Sequence, residues 1–164
     1  MNRSGRLGTA GRAGTWPLPI LIFAVLGTIY AVASLTSAML MIRAGRQIDI
    51  WPLPWFAASV IAGLALAAGL MAVLPPGQVW VLFVAIVLLR LCGQGLMFHT
   101  AVTAAVRTFH AHRGQALSIV SLGFAAGEAL LPVTIVAVVA VIGWRLTWGA
   151  AALTLVLFVL PMAV

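Results

Sequence analysis

Residues 90–132, RLCGQGLMFHTAVTAAVRTFHAHRGQALSIVSLGFAAGEALLP, are the stretch that decides the fold. Two apolar runs meet here across a short basic connection, and each run carries a charge, Arg90 in the first and Glu128 in the second. An ionised side chain in hydrocarbon costs several kcal/mol, so such residues normally face a bundle interior or an aqueous cavity. The two charges therefore predict a membrane protein and mark the place to look for its functional residues.

The composition of the whole chain is that of a membrane protein. Apolar residues make up 64% of the 164 positions and charged residues 7%, with a mean hydropathy of +1.21, whereas a soluble domain carries about 25% charged residues. The net charge of +7 arises because nine arginines face two acids, Asp49 and Glu128. The arginines flank apolar runs and form no basic stripe on a soluble surface, so we predict no nucleic-acid partner.

Apolar runs separated by proline, glycine and arginine predict an all-α, polytopic membrane helix bundle. The predicted transmembrane helices are five, at about 19–42, 54–74, 79–105, 114–142 and 144–164. Each is close to the roughly 20 residues that a bilayer core requires. All six tryptophans lie within a few residues of these ends, as in the aromatic belts of membrane proteins. Residues 1–15, rich in glycine and arginine, predict a disordered tail.

The arginines indicate the orientation in the membrane. With the tail included, four arginines lie on each side; without it, the count is four against one. The positive-inside rule then places residues 43–53 and 106–113 in the cytoplasm. Because the tail evens out a count that otherwise favours one side, and because no polar end follows the last span, we expect a missing piece of protein at each end.

Arg90 and Glu128 have two interpretations. Counted along their helices, their depths in the bilayer differ by about 7 Å, which an arginine side chain can reach across. The functional interpretation makes Arg90 the binder of an anionic group and Glu128 a carrier of protons or cations. The structural interpretation makes them a permanent ion pair that holds two helices in register. A charge-reversal experiment distinguishes the two.

Helical spacing selects the neighbours of these charges. Gln94 lies four residues after Arg90 and shares its face, so it is a second candidate for the pocket. His99 points to the other side of that helix and is interpreted as a packing histidine near the cytoplasmic end. Tyr30 begins a small polar seam on the first span and completes the set of substrate and coupling-ion candidates.

The remaining motifs predict packing rather than chemistry. Gly123 and Gly127 form a G-x-x-x-G pair, which predicts close helix packing. Cys92 is alone in an apolar run and is interpreted as a core-filling residue. His110 and His112 lack a carboxylate or thiol nearby, so we predict no metal site and no cofactor. No nucleophile and base pair, phosphate loop or paired carboxylates suggest an enzyme.

Four segments together carry a resemblance to a known family. They are RAGRQID at 43–49, RLCGQG at 90–95, HRGQALSIVSLGFAAGEALLP at 112–132 and GWRLTW at 143–148. In this succession the chain resembles the major facilitator superfamily of secondary transporters, from the second to the sixth helix of the N-terminal half. In the resemblance, a cytoplasmic loop motif is carried by Gly45, Arg46, Asp49, Arg113 and Gly114.

The resemblance implies an architecture and a function. Such transporters have two six-helix halves with the substrate at midplane between them. Residues 16–164 are then a partial transporter domain, whose partners are the bilayer, a small solute, a first helix and a C-terminal half. The implied function is secondary active transport of a small solute coupled to protons, as a symporter, by alternating access. Arg90 favours an organic anion as that solute. The alternative is a standalone five-span protein that binds or scaffolds a membrane partner. The arginine-only, alanine-rich composition suggests a bacterial inner membrane.

Overall fold

The computed structural model describes residues 17–163, and in that range the chain is helical with no strand. Its helices are α1 Pro17–Ile50, α2 Leu53–Val73, α3 Val79–Thr108, α4 Arg113–Ile142 and α5 Trp144–Ala163. Each of these five is long and apolar enough to cross a membrane. The predicted all-α bundle of five spans is confirmed. The predicted disordered tail at 1–15 lies outside the described residues.

Proline and glycine set the ends of the helices. Pro52 precedes α2, and a proline both lacks an N–H and disfavours helix in the residue before it, which ends α1 at Ile50. Gly143 separates α4 from α5 by a single residue, with a φ of +82°. That left-handed conformation is readily adopted by glycine and strained for other residues, so the tight turn between the two helices depends on it.

The helix α1 runs further than the predicted span. The span was predicted to end near residue 42, but the helix continues through Arg43 and Arg46 to Ile50. Arginine is a good helix former, and no glycine–proline pair interrupts the chain before Pro52. The basic residues that end the apolar run therefore continue the helix instead of starting a loop.

The long helix α3 changes its winding in the middle. Residues Leu89–Leu96 form a π-helical segment between two α-helical halves, Val79–Leu88 and Met97–Thr108. A second π-helical segment, Leu155–Val159, lies within α5. Single π turns inside α-helices are rare and are frequent at functional sites. The first of them contains the sequence RLCGQG, which begins with the intramembrane Arg90.

The packed part of the bundle is centred on α2. This helix lies between α3 and α5, and it contributes seven of the buried residues, among them Phe56, Val60 and Ala67. Helix α1 packs against the first two-thirds of α3, and α4 packs against the last third of α3 and the start of α5. The residues of α4 include none that is buried. The core thus lies on one side of the described bundle, around α2 and the middle of α3.

Candidate functional site

The π-helical segment brings Arg90 to Tyr30. Nη1 of Arg90 donates a hydrogen bond to Oη of Tyr30 at 2.5 Å. The guanidinium carbon also lies 5.1 Å from the centroid of the tyrosine ring, within the range of a cation–π interaction. The hydroxyl and the ring together hold the guanidinium between α1 and α3. Both residues were candidates from the sequence, but nothing in their spacing predicted that they would meet.

Arg90 has no acidic partner within residues 17–163. The ion pair found in that part of the chain joins Arg107 to Asp49, near the C-terminal ends of α3 and α1. An arginine stays protonated in proteins. Tyr30 supplies a neutral oxygen and the face of a ring, neither of which cancels a unit charge. The guanidinium therefore combines fixed geometry with an excess positive charge, which is the combination that attracts an anion.

The structure does not pair Arg90 with Glu128. The Glu128 carboxylate is exposed in the described chain, where it has neither a hydrogen bond nor an ion pair. Helix α4 approaches α3 along the last third of α3, where Phe98 and Phe124 pack with ring centroids 5.0 Å apart. At the level of Arg90 the two helices have separated. The similar depths inferred from the sequence were thus insufficient, because depth fixes the height of a residue but not the helix beside it.

Gln94 and His99 lie on exposed surface. Gln94 belongs to the π-helical segment and its side chain is exposed, without a hydrogen bond to another described residue. In a π-helix the hydrogen bonds join residues five apart, so the α-helical stacking of Gln94 on Arg90 is not reproduced there. His99 is exposed as well, with its ring at an edge-on contact 6.5 Å from the neighbouring Phe98. The structure brings neither residue to Tyr30.

The predicted loop motif lies within helices. Gly45, Arg46 and Asp49 fall in the last turns of α1, and Arg113 and Gly114 in the first turn of α4. The prediction of a loop was wrong at these positions because the helices extend past the apolar runs.

Two contacts join the charged ends of these helices. Nη2 of Arg107 lies 3.5 Å from Oδ1 of Asp49 and donates to the carbonyl oxygen of Ile48 at 3.4 Å. Nη2 of Arg113 lies 3.0 Å from Nδ1 of His110. The first contact fastens the end of α3 to the end of α1. The two basic segments predicted for the cytoplasm are therefore neighbours, as a common membrane face requires.

The predicted packing glycines have no neighbouring helix in the described chain. A Cβ built on Gly123 would meet nothing within 4 Å, and one on Gly127 would meet Leu131 of its own helix at 3.8 Å. Close packing of α4 at these glycines therefore stays a prediction, with no partner for it among residues 17–163.

Other glycines, which the sequence analysis did not select, make the close approaches. A Cβ on Gly63 would lie 2.7 Å from Sγ of Cys92, and a Cβ on Gly95 would lie 2.5 Å from Sδ of Met41. A Cβ on Gly93 would lie 3.3 Å from Leu64. The sequence does contain a pattern that could have indicated these approaches, since Gly93 and Gly95 lie inside RLCGQG. To interpret it as close helix packing, one must know that α1 and α2 both contact this segment.

A cleft of about 420 Å³ separates α1 from the first turns of α3. Its lining is largely apolar, and it consists of Thr28, Ile29, Val32, Val79, Trp80 and Phe83. Arg90 and Tyr30 are not among these residues. The contact between Arg90 and Tyr30 therefore lies outside this cleft. Among the described residues, no group of three or more His, Cys, Asp or Glu side chains could hold a metal ion.

Comparison with known proteins gives one finding. The model of the family described as the Major Facilitator Superfamily matches residues 12–164. No curated protein matches the chain. No solved structure matches it either.

Proposed function

The chain belongs to the major facilitator superfamily of membrane transporters, and from that premise we propose that it carries a small organic anion, coupled to protons, by alternating access. As a multi-pass integral membrane protein of a transporter family, it has no expected enzymatic activity. The proposal concerns the substrate, the coupling ion and the residues that bind them. It also includes residence in a bacterial inner membrane, which the arginine-only, alanine-rich composition favours.

One observation carries the choice of an anion. Arg90, in the middle of a membrane-spanning helix, is held by the hydroxyl and ring of Tyr30 and has no carboxylate beside it within residues 17–163. A permanent positive charge inside a bilayer is costly unless it is paired or hydrated. An arginine that is oriented but not neutralised supports a site in which the substrate supplies the negative charge. A carboxylate suits it because the guanidinium can donate two parallel hydrogen bonds to two oxygens.

Glu128 is our candidate for the coupling group. It is the one acidic residue within the membrane spans predicted from the sequence, and its carboxylate has no hydrogen-bonding partner among the described residues. A carboxyl group can alternate between a charged and a neutral form, as a proton carrier must. Arginine cannot alternate in this way. The division of labour that we propose gives the anion to Arg90 and the proton to Glu128.

The exposed helices support a partner for the described bundle. Helix α4 has no buried residue, yet it carries Glu128 within the predicted span. An acid at that depth normally faces protein or a water-filled cavity rather than lipid. We therefore propose that another helix and a second half of the transporter cover α4 and the exposed side of α1, completing the substrate path.

The test is uptake by the complete transporter in proteoliposomes, with labelled mono- and dicarboxylates and a neutral sugar as solutes. Arg90→Gln should reduce carboxylate uptake by about a hundredfold, the factor expected from losing hydrogen bonds to a charged group. The matched control is Arg145→Gln, which removes an arginine that bonds the carbonyl oxygen of Leu74 at an end of the bundle. Uptake of carboxylates at the normal rate by Arg90→Gln would refute the anion site.

A second arm examines coupling in the same vesicles. Glu128→Gln should abolish accumulation driven by a pH gradient while preserving exchange of internal for external substrate. The reason is that a glutamine side chain can neither take up nor release a proton. A gradient-driven uptake equal to that of the unmodified protein would exclude Glu128 as the carrier. Carboxylate uptake by the 164-residue chain alone would contradict the need for a second half.

A further inference from the structure

The direction in which Arg90 points is linked to the position of Cys92. The two residues lie two positions apart in the π-helical segment of α3. Side chains at that spacing project from nearly opposite sides of a helix. When Cys92 faces α2, Arg90 consequently faces away from α2. The guanidinium of Arg90 donates its hydrogen bond to Tyr30 of α1.

Cys92 is seated on α2 by a glycine. Its side chain is 6% exposed and lies in a cluster with Phe56, Val60 and Leu96. A Cβ on Gly63 would come within 2.7 Å of Sγ, so the thiol occupies the space that any other residue at position 63 would fill. The absence of a side chain at Gly63 therefore fixes how far the π-helical segment approaches α2 and how it is rotated.

We propose that Gly63 and Cys92 are positioning residues for Arg90: the thiol seated against the bare Cα of Gly63 sets the rotation of the π-helical segment and so directs the guanidinium at Tyr30. The proposal rests on the proposed function insofar as Arg90 is the anion site. Neither Gly63 nor Cys92 touches the substrate. They act through the helix that carries the arginine.

The contacts with α1 agree with this role. Tyr30 and Met41 are eleven residues apart, close to three full turns, and share one face of α1. Met41 lies against Gly95, and Tyr30 against Arg90, so α1 meets the π-helical segment at two levels of one face. A rotation of the segment would separate both pairs. The seat of Cys92 on α2 therefore determines both contacts with α1.

The first experiment measures thermal stability of the complete transporter in detergent, and it needs no transport activity. Tyr30→Phe should lower Tm by roughly a few degrees, because it removes the oxygen that receives the hydrogen bond from Arg90. In a Gly63→Ala background the same substitution should lower Tm by about half as much or less, since the contact is already lost. Equal lowering in the unmodified protein, in Gly63→Ala and in the bulkier Gly63→Val would overturn the proposal.

Two further variants make the result specific. Cys92→Ala removes the sulfur that an alanine at position 63 would strike, so adding it to Gly63→Ala should restore the full effect of Tyr30→Phe. Gly69→Ala is the matched control, because it lies on the same helix and its Cβ would meet nothing within 4 Å. It should leave the effect of Tyr30→Phe unchanged. Coupling that appears equally with Gly69→Ala would mean a general loosening of α2.

A bulkier substitution covers the case in which the thiol swings aside. An open cleft of about 320 Å³ borders Cys92 and would accept the sulfur after a rotation of its side chain. Gly63→Val adds two methyl groups at the same point and leaves less room for that escape. If Gly63→Ala shows no coupling, Gly63→Val should show it. A normal effect of Tyr30→Phe in both backgrounds would reject the positioning role.

The second experiment measures carboxylate uptake and separates this proposal from the proposed function. Gly63→Ala should raise KM by about tenfold with little change in kcat, as expected when a charged contact is misaligned. Cys92→Ala should reverse the rise. Stability coupling without any change in KM would support the positioning role and reject Arg90 as the anion site. A KM that depends on Arg90 but not on Gly63, together with no stability coupling, would reject the positioning role alone.

Discussion

Helices α2 and α4 are equally apolar, but their surroundings in the bundle differ. The most apolar stretch of each has a mean hydropathy of 2.2, while 39% of that stretch is buried in α2 and none of it in α4. The buried positions of α2 include small residues such as Ala65, Ala67 and Ala68, which let α3 and α5 approach. Hydropathy thus selects the membrane for both helices but does not select their partners.

The physical reason is that lipid tails are as apolar as leucine. Between helices in a bilayer there is little hydrophobic driving force, so association depends on close packing and on polar contacts. Gly63 and Gly93 provide close packing between α2 and α3, and Gly95 provides it between α1 and α3. Helix α4 has its own small pair, Gly123 and Gly127, but no neighbour against it in the described chain. The same kind of motif therefore forms contacts in one place and remains open in the other.

The largest predicted effect comes from exchanging the two intramembrane charges, Arg90 on α3, which packs against α2, and Glu128 on α4. We expect Arg90→Glu combined with Glu128→Arg to leave carboxylate uptake about a hundredfold below normal, no better than Arg90→Glu alone. In this double variant, the glutamate at position 90 would face Tyr30, and the arginine at position 128 on α4 would have no tyrosine beside it. The measurement is uptake by the complete transporter. Recovery to near-normal rates would show that Arg90 and Glu128 form a permanent ion pair, and that α4 is packed at this level of the bundle.

The next prediction compares packing on the two helices directly in the 164-residue chain. Ala67→Leu on α2 replaces a fully buried residue and should lower the free energy of unfolding by about 1–3 kcal/mol through overpacking. Ala125→Leu on α4, at an exposed position, should change it by about 0.5 kcal/mol or less. Denaturant titration in detergent measures both. Equal losses of unfolding free energy at the two positions would mean that Ala125 of α4 is as tightly packed as Ala67 of α2.

The smallest predicted effect concerns the charges at the end of the packed side. Asp49→Asn removes the ion pair with Arg107, in which the side chains are 79% and 46% exposed. Exposed pairs contribute little, so we expect a loss of about 0.5 kcal/mol or less, which should disappear in high salt. The hydrogen bond from Arg107 to the carbonyl oxygen of Ile48 remains in the variant. Thermal unfolding at two salt concentrations checks this. A large loss that shrinks in high salt would show that charge rather than packing holds this side together.

Much of the fold could be predicted from the sequence. The five helices follow from long apolar runs, because a bilayer requires continuous helices of at least about 20 residues, and the breaks at Pro52 and Gly143 follow from the residues that stand there. The extension of α1 to Ile50 was missed, since the apolar run ends before the helix does. The two π-helical segments were missed as well. Nothing in hydropathy distinguishes an extra residue in a turn from an ordinary α-helical turn.

The site was predicted in its members but not in its contacts. Arg90 and Tyr30 were both selected, the first because a charge in an apolar run is exceptional and the second because it begins a polar seam. Their contact spans sixty positions of sequence and two helices. The expected contact of Arg90 with Glu128 is absent within residues 17–163. The geometry along a single helix gives the depth of a residue, but it cannot say which neighbouring helix stands opposite.

The sequence alone predicted that this chain is a membrane protein, that its described part has five membrane spans, and that two charged residues, Arg90 and Glu128, lie within those spans. Those properties follow from hydrophobicity and helix length, which are sums over neighbouring residues. The tertiary structure decided that the arginine meets a tyrosine, that a thiol packs against a glycine, and that α2 has a buried core while no residue of α4 is buried. These properties depend on shape complementarity between distant segments, because in a bilayer one apolar surface is no more attractive than another until two of them fit.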